Sequence, residues 1–363
     1  MLSARRYRHP GPDLRTARTA AHALAMAPFL FQAARSARDL GVLAALKDAG
    51  VDGCSAAELT TRLHLPQTSV TPLLDGLLAG SLVDESPPGR WRLTSTGAVW
   101  LDDPHVGIDA DFTHAVCWHG LADLGESLAS GTPVGLRRFG AWRTLYEGLA
   151  QLREDVRGPW FAYDHAHSDS AFPAALEHLA RSAPRRLLDV GANTGRFSMS
   201  ALRRLPETQI TLLDHPGQLA EAEAALAASG LGASVNLISF DLLDHARPFP
   251  GGQDAVWMSQ FLDCFGPVDV RELLRRARCA LAPGGSVWVL EVCPDRQVEA
   301  AAASSLRLAS LYFTAIANGV SRFYRATDLL ALAAEAGLVP ADQWDGIGTA
   351  HTLFRLVQAQ KSK

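Results

Sequence analysis

The residues best placed to do chemistry begin at Asp189-Val190-Gly191-Ala192-Asn193-Thr194-Gly195, directly after the apolar pair Leu187-Leu188. An apolar run ending in an acid, then small and turn-forming residues, then the amphipathic start Arg196-Phe197, reads as strand, tight turn and helix N-terminus. Gly191 and Gly195 permit positive φ and let a ligand approach bare backbone. The free amides at the helix start can hold polar ligand groups. Such a turn suits a nucleotide-like cofactor at the carboxyl edge of a parallel sheet. A nicotinamide fingerprint is excluded by spacing: counted from Gly191, Asn193 and Arg196 stand where the second and third glycines belong.

Three further acids or polar residues fall at successive strand ends. Ile210-Thr211-Leu212-Leu213-Asp214 places a carboxylate where it can accept both ribose hydroxyls of an adenosine. Phe240-Asp241-Leu242 offers an acid for an adenine amino group beside apolar residues for its ring. Asp254 to Gln260 brings Ser259 to the end of a fourth strand. Each acid alone reads as a loop cap. The ordered set reads as a cofactor site.

A second cluster lies at Trp160 to Asp169, with Tyr163, Asp164, His165, His167 and Asp169 within ten residues. A metal set is conceivable, but no regular ligand spacing favours one, and the expectation is no metal. The segment is expected to line a pocket, with His165 or His167 available as a base; a satisfied polar network is the alternative.

The elements that position these groups follow from periodicity. Strands are expected at Arg186–Val190, Gln209–Leu213, Val235–Ser239, Ala255–Met258 and Ser286–Val292, with a last pair at Val339–Trp344 and Thr352–Val357 and helices between. That is a doubly wound α/β domain over 181–363. Residues 1–18 are expected as a disordered basic arm, 19–104 as a winged-helix-like dimerisation domain and 105–180 as a helical connector rich in aromatics. In the second of these, Ser55-Ala56-Ala57-Glu58 is a capping box, Gln67 to Ala79 a helix, and Leu82 to Leu93 a hairpin. The Gln67 helix carries no Lys or Arg, so nucleic acid is not the expected partner.

At 363 residues, 48% hydrophobic and 20% charged, the chain suits two globular domains. A net charge of -4 gives no general attraction to nucleic acid or anionic membrane. Cys54, Cys117, Cys264, Cys279 and Cys293 are odd in number and form no Cys-x-x-Cys pair, which favours a reducing, cytoplasmic setting. The apolar stretch from Ala23 is interrupted by Gln32 and continues in helical period, unlike a signal peptide. No run of about 18 uninterrupted apolar residues is present, so no membrane span is expected.

The ordered motifs resemble the class I S-adenosylmethionine-dependent methyltransferases. With the helix-and-hairpin front end, the chain is similar to the dimeric winged-helix O-methyltransferases of plant phenylpropanoid and bacterial secondary metabolism. The resemblance implies S-adenosylmethionine held by Asp189, Gly191, Asn193, Gly195, Asp214, Asp241, Leu242 and Ser259. It also implies a homodimer through the N-terminal domain and a small aromatic, phenolic substrate. Trp118, Tyr163, Phe261, Phe265, Tyr312, Phe313 and Asn318 are the expected substrate contacts, rings suited to a flat apolar molecule.

One departure matters. The family carries Leu-His-x-Trp after its fourth strand, and here the stretch is Leu262-Asp263-Cys264-Phe265. Asp263 stands where the histidine base belongs, and Asn318-Gly319-Val320-Ser321-Arg322 lacks the acid that orients it. An unperturbed Asp near 3.9 is a poor base for a phenol near 10, although burial can raise it. Asp263 could be a tuned base, a group orienting the hydroxyl, or a helix cap. Losing the histidine favours C-methylation, or an acceptor already ionised, more than in a standard relative. The rivals are a cofactor-binding relative performing decarboxylation or hydroxylation, and a winged-helix regulator sensing the cofactor.

Overall fold

The computed structural model describes residues 13–232 and 235–360. The chain divides into two units, one up to Ala110 and one from Asp111 onward. The first holds α1 (Leu14–Asp39), α2 (Val42–Ala49), α3 (Ala56–Leu63), α4 (Gln67–Ala79), strands β1 (Val83–Glu85) and β2 (Trp91–Leu93), α5 (Ser95–Asp102) and most of α6 (Pro104–Phe112). Its core is Leu43, Leu46, Leu59, Leu74 and Leu77, all fully buried. Ser55 caps α3 in the expected box: its side chain accepts from the Glu58 amide, and the Glu58 carboxylate accepts from the Ser55 amide.

The basic arm expected over 1–18 is corrected in part. Residues 1–12 lie outside the described ones, but α1 begins at Leu14. Asp13 caps it by accepting from the amides of Arg15 and Thr16, satisfying two of the free donors of the first turn.

From Asp111 the chain continues through α7 (Leu124–Ser130), α8 (Leu145–Gly148), α9 (Glu154–Asp169) and α10 (Phe172–Ala180). The segment expected as a separate connector belongs from Asp111 to the same compact unit as the sheet. Strands and helices then alternate: β3 (Arg186–Val190), α11 (Arg196–Arg204), β4 (Gln209–Asp214), α12 (Pro216–Ala228), β5 (Val235–Ser239), β6 (Gln253–Ser259), α13 (Pro267–Ala280), β7 (Leu281–Val292), α14 (Ala300–Tyr312), α15 (Ala326–Glu335), β8 (Leu338–Ile347) and β9 (His351–Gln358). The expected strands are all present. β7 starts at Leu281, earlier than expected, because Leu281 pairs with Gln253 ahead of a register shift, and the chain then turns through Gly284 at φ +82 before Ser286 pairs with Ala255.

The seven strands lie in the order β5-β4-β3-β6-β7-β9-β8. Five are parallel, and β9 runs antiparallel to both neighbours. Buried apolar clusters cover the two faces of this sheet. The order reverses between β3 and β6, so connections leave those two strands in opposite directions and open a crevice at their carboxyl ends. A third, aromatic cluster joins α9 and α14 to the segments around Phe112 and Leu145. The apolar stretch Ala300–Ala317 has the length and composition of a membrane span. It carries Arg307 and sends Ala303, Leu306, Tyr312 and Ile316 into buried packing.

Candidate active site

The turn after β3 sits at the reversal point. The Gly191 amide donates to the Leu213 carbonyl at 2.9 Å, anchoring the turn to β4. Gly191 has φ +74, and a Cβ there would meet the Phe261 ring at 2.2 Å. No other residue fits.

Asn193, itself at φ +48, joins three elements. Its amide donates to Asp214 Oδ2 at 2.8 Å, and its side-chain nitrogen donates to Asp164 Oδ2 on α9 at 3.2 Å. Arg196 at the start of α11 pairs with Asp169, also on α9. The acids of the Trp160–Asp169 stretch therefore engage the glycine turn. That stretch is one continuous helix.

A cleft opens here, lined among others by Asp164, His165, Asp189, Gly191, Ser259 and Gln260. Asp189 is 2% exposed and accepts from the Ser198 hydroxyl at 2.6 Å. Burial, against that hydrogen bond, raises its carboxyl to about 7. Asp214, 7% exposed, is likewise raised by burial. Its Oδ1 accepts from the His215 amide at 2.7 Å while Oδ2 holds Asn193. Each carboxylate oxygen keeps a second lone pair for a ligand hydroxyl.

Asp241 is exposed at the loop after β5, where its carboxylate accepts from the Leu243 amide at 3.0 Å. The Leu242 side chain is buried in the core with Phe240 and Phe249. Its carbonyl, with those of Asp244 and Arg247, accepts from the buried guanidinium of Arg276 on α13. Arg276 thus shapes the loop that presents Asp241. A buried arginine clamping three carbonyls has no local sequence signature.

Ser259 Oγ and Gln260 Oε1 are buried, line the cleft and have no hydrogen-bond partner among the described residues. Gln260 was not anticipated as a site residue. Its strained φ of +42 at the end of β6 is a tertiary feature, invisible in the preceding apolar pattern. Unsatisfied polar atoms beside a glycine turn and two buried carboxyls fit a polar cofactor carrying hydroxyl and amine groups.

Beyond β6 the chain makes one short helical turn, Leu262–Cys264, and Asp263 on it is 5% exposed. Three residues, one on β7 and two on the segment between α14 and α15, fix this turn. Glu291 near the end of β7 accepts from the amides of Phe261 and Leu262 at 3.0 and 2.8 Å. Asn318 donates to the Cys264 carbonyl at 2.6 Å, and Tyr324 donates to the Phe265 carbonyl at 2.7 Å. Burial raises Asp263, and the Asp164 charge adds to it. Glu291, 3% exposed with Oε2 unpartnered, is raised further by burial and by Asp263. The acid missing from the Asn318–Arg322 segment is thus met by one on a neighbouring strand. Within the apolar run of β7, Glu291 was the only signal.

His165 lines the cleft half-buried, 3.9 Å from Asp164, and burial lowers its basicity so that the ring is neutral near pH 7. The side chain of His167 lies outside the described residues. Among the expected substrate contacts, Trp118, Tyr163 and Phe265 are half-buried. Tyr163 stacks on Phe112 at 4.0 Å. Phe261, Tyr312 and Phe313 are buried in the core, and the Tyr312 hydroxyl accepts from Trp160 at 2.8 Å. Asn318 is spent on the Cys264 carbonyl and on Ser321, and so braces the Asp263 turn.

A family profile for the O-methyltransferase domain matches residues 153–339. The chain belongs to this family. It is an S-adenosylmethionine-dependent methyltransferase, and S-adenosylmethionine is its cofactor. The methyltransferase is 29% identical over 269 residues to the L-tyrosine C(3)-methyltransferase of Streptomyces lavendulae, covering 73% of this chain and 72% of that one. It is 27% identical over 215 residues to the aclacinomycin 10-hydroxylase RdmB of Streptomyces purpurascens, covering 58% and 52%. The apo structure of the S-adenosylmethionine-dependent methyltransferase SibL superposes with a TM-score of 0.72 at 28% identity, over 94% of this chain and 99% of that one.

Two outcomes follow for the methyltransferase. Asp214→Ala should weaken S-adenosylhomocysteine binding about 10- to 100-fold by calorimetry, since a charged hydrogen-bond acceptor is lost. Asp189 titrates near 3.8 unfolded and about 7 folded, so between those values the folded state holds the extra proton. Stability from this group therefore falls as pH rises through that window and is level above it. In urea unfolding of the free protein, Asp189→Asn should lose less stability from about pH 5 to pH 7 than the parent; equal losses would exclude the assignment.

Proposed function

We propose that the methyltransferase methylates a small phenolic aromatic metabolite, with Asp263 taking the proton of the acceptor hydroxyl. The observation carrying this reading is a buried carboxyl, on a turn braced by three residues and raised above the usual carboxylate range, at the position where the family pattern has histidine. An ordinary Asp lies about six units below a phenol. Burial narrows that gap and makes proton transfer in the transition state effective.

When bound, S-adenosylmethionine supplies an already activated methyl group, which leaves alignment and acceptor activation to the protein. The half-buried rings of Tyr163, Trp118 and Phe265 suit a flat aromatic. The braced turn keeps Asp263 from swinging away, and the surrounding apolar packing excludes water from its carboxyl. Proton loss from the hydroxyl raises electron density on oxygen and on the ortho ring carbon alike. Transfer to carbon is the second reading, favoured by the tyrosine C(3)-methyltransferase relative.

A homodimer through the first unit is part of the proposal. Along α1, Leu14, Leu24, Met26 and Phe29 are more than half exposed, a run of apolar side chains that a second copy would cover. α4 carries no cation, which argues against DNA as the partner.

Incubation with methyl-labelled cofactor and a panel of phenols should give labelled product, with proton NMR separating O-methyl from C-methyl. Asp263→Asn should lower kcat by about 10²- to 10⁴-fold and leave S-adenosylhomocysteine affinity unchanged. Unchanged turnover would move the base to His165, and no label transfer to any phenol would turn the reading toward the hydroxylase-like rival. In light scattering the parent should have the mass of a dimer and Leu24→Glu/Phe29→Glu that of a monomer; a monomeric parent would end the dimer reading.

A further inference from the structure

Immediately after Asp263 comes a thiol that the mechanism above does not use. Cys264 Sγ donates to Asp263 Oδ1 at 3.5 Å. The Tyr146 side chain, from α8, also interacts with this thiol. The backbone fixes this geometry: the Cys264 amide donates to the Phe261 carbonyl at 3.1 Å, and its carbonyl accepts from Asn318. Tyr146, Cys264 and Asp263 therefore form a short polar chain in an otherwise aromatic wall.

The groups around Asp263 act in opposite directions. Asp164 on α9 and Glu291 on β7 oppose its ionisation, as does burial. The phenols of Tyr146 and Tyr324 also face it, neutral near pH 7. The Cys264 thiol is the side chain that pulls the other way. Its strength suits a base. A thiol is a weak donor, so it supports the carboxylate without stabilising it as far as a hydroxyl would. A stronger donor makes the carboxylate more populated and a poorer proton acceptor; without the thiol it is less populated.

We propose that Cys264, backed by Tyr146, is a positioning residue whose thiol holds the Asp263 carboxylate in place and supports its charged, proton-accepting form. This rests on Asp263 being the base for the acceptor hydroxyl. Cys264 itself touches neither acceptor nor cofactor in this role.

The test uses the full chain and the variants Cys264→Ala, Cys264→Ser and Tyr146→Phe. The Asp263 carboxyl is followed by carbon-13 NMR in the free protein, its resonance assigned by its loss in Asp263→Asn, and kcat is measured against pH. In Cys264→Ala the carboxyl midpoint should rise by about 0.5 to 1 pH unit, the value of one hydrogen bond. The acid limb of the kcat profile should move with it. Cys264→Ser should bring both back to the parent position or below, and Tyr146→Phe should raise them by less than Cys264→Ala. S-adenosylhomocysteine affinity should stay constant throughout. A folded Cys264→Ala protein with an unmoved midpoint overturns the proposal. So does Ser behaving like Ala, which would make the effect one of packing and not of the donor. Full turnover in Asp263→Asn would remove the base reading, while the NMR titration separately decides what Cys264 does to the carboxyl.

Discussion

The hydrogen bond from the Asn193 amide to Asp214 is the interaction on which the cofactor site depends. It ties the turn after β3 to the end of β4, and the Asn193 side chain extends the tie to Asp164 on α9. Asp214 is nearly buried, so its charge must be met by fixed donors, and two backbone amides supply them. The acid that a ligand would use is thereby also the acid that shapes the turn. A left-handed Asn193 between Gly191 and Gly195 is tolerated because that network holds it.

The acceptor side is built on a different principle. Asp263 and Glu291 are buried carboxyls, and the Asp263 charge adds to burial in raising Glu291, an arrangement that costs stability. Glu291 offsets part of that cost by accepting two amides, and Asn318 and Tyr324 brace the same turn through carbonyls. Fixing the Asp263 turn in this way places the cost in folding, before any ligand arrives. The two sites meet across the reversal point of the sheet, where Gly191 leaves room for the Phe261 ring.

Much of this was legible residue by residue. The existence and order of the strands, the Ser55 capping box and the acids at strand ends all depend on neighbours within a few positions, and the structure has them as expected, with several strands longer at their ends. The roles of Leu242, Phe261 and Phe313 were not legible. An apolar residue next to a motif looks the same in the sequence whether it faces a ligand or the core, and all three side chains are buried. Glu291 escaped notice for a related reason: inside a buried strand, nothing local says that its carboxyl reaches the amides of a turn thirty residues earlier. The helical start at Leu14 was missed because arginines at 15 and 18 outweighed an ordinary Asp13 cap.

By itself the sequence determined the element order, the doubly wound class and the cofactor motif. These rest on short-range periodicity, on glycine where φ must be positive, and on spacing that excludes the nicotinamide pattern. Only the tertiary structure decided that Glu291, Asn318 and Tyr324 converge on the Asp263 turn. It alone also showed that Arg276 holds the loop carrying Asp241 and that Cys264 points its thiol at the Asp263 carboxylate. Burial and convergence of distant polar groups arise from strand order and packing, and these set each carboxyl's environment, which no local pattern encodes.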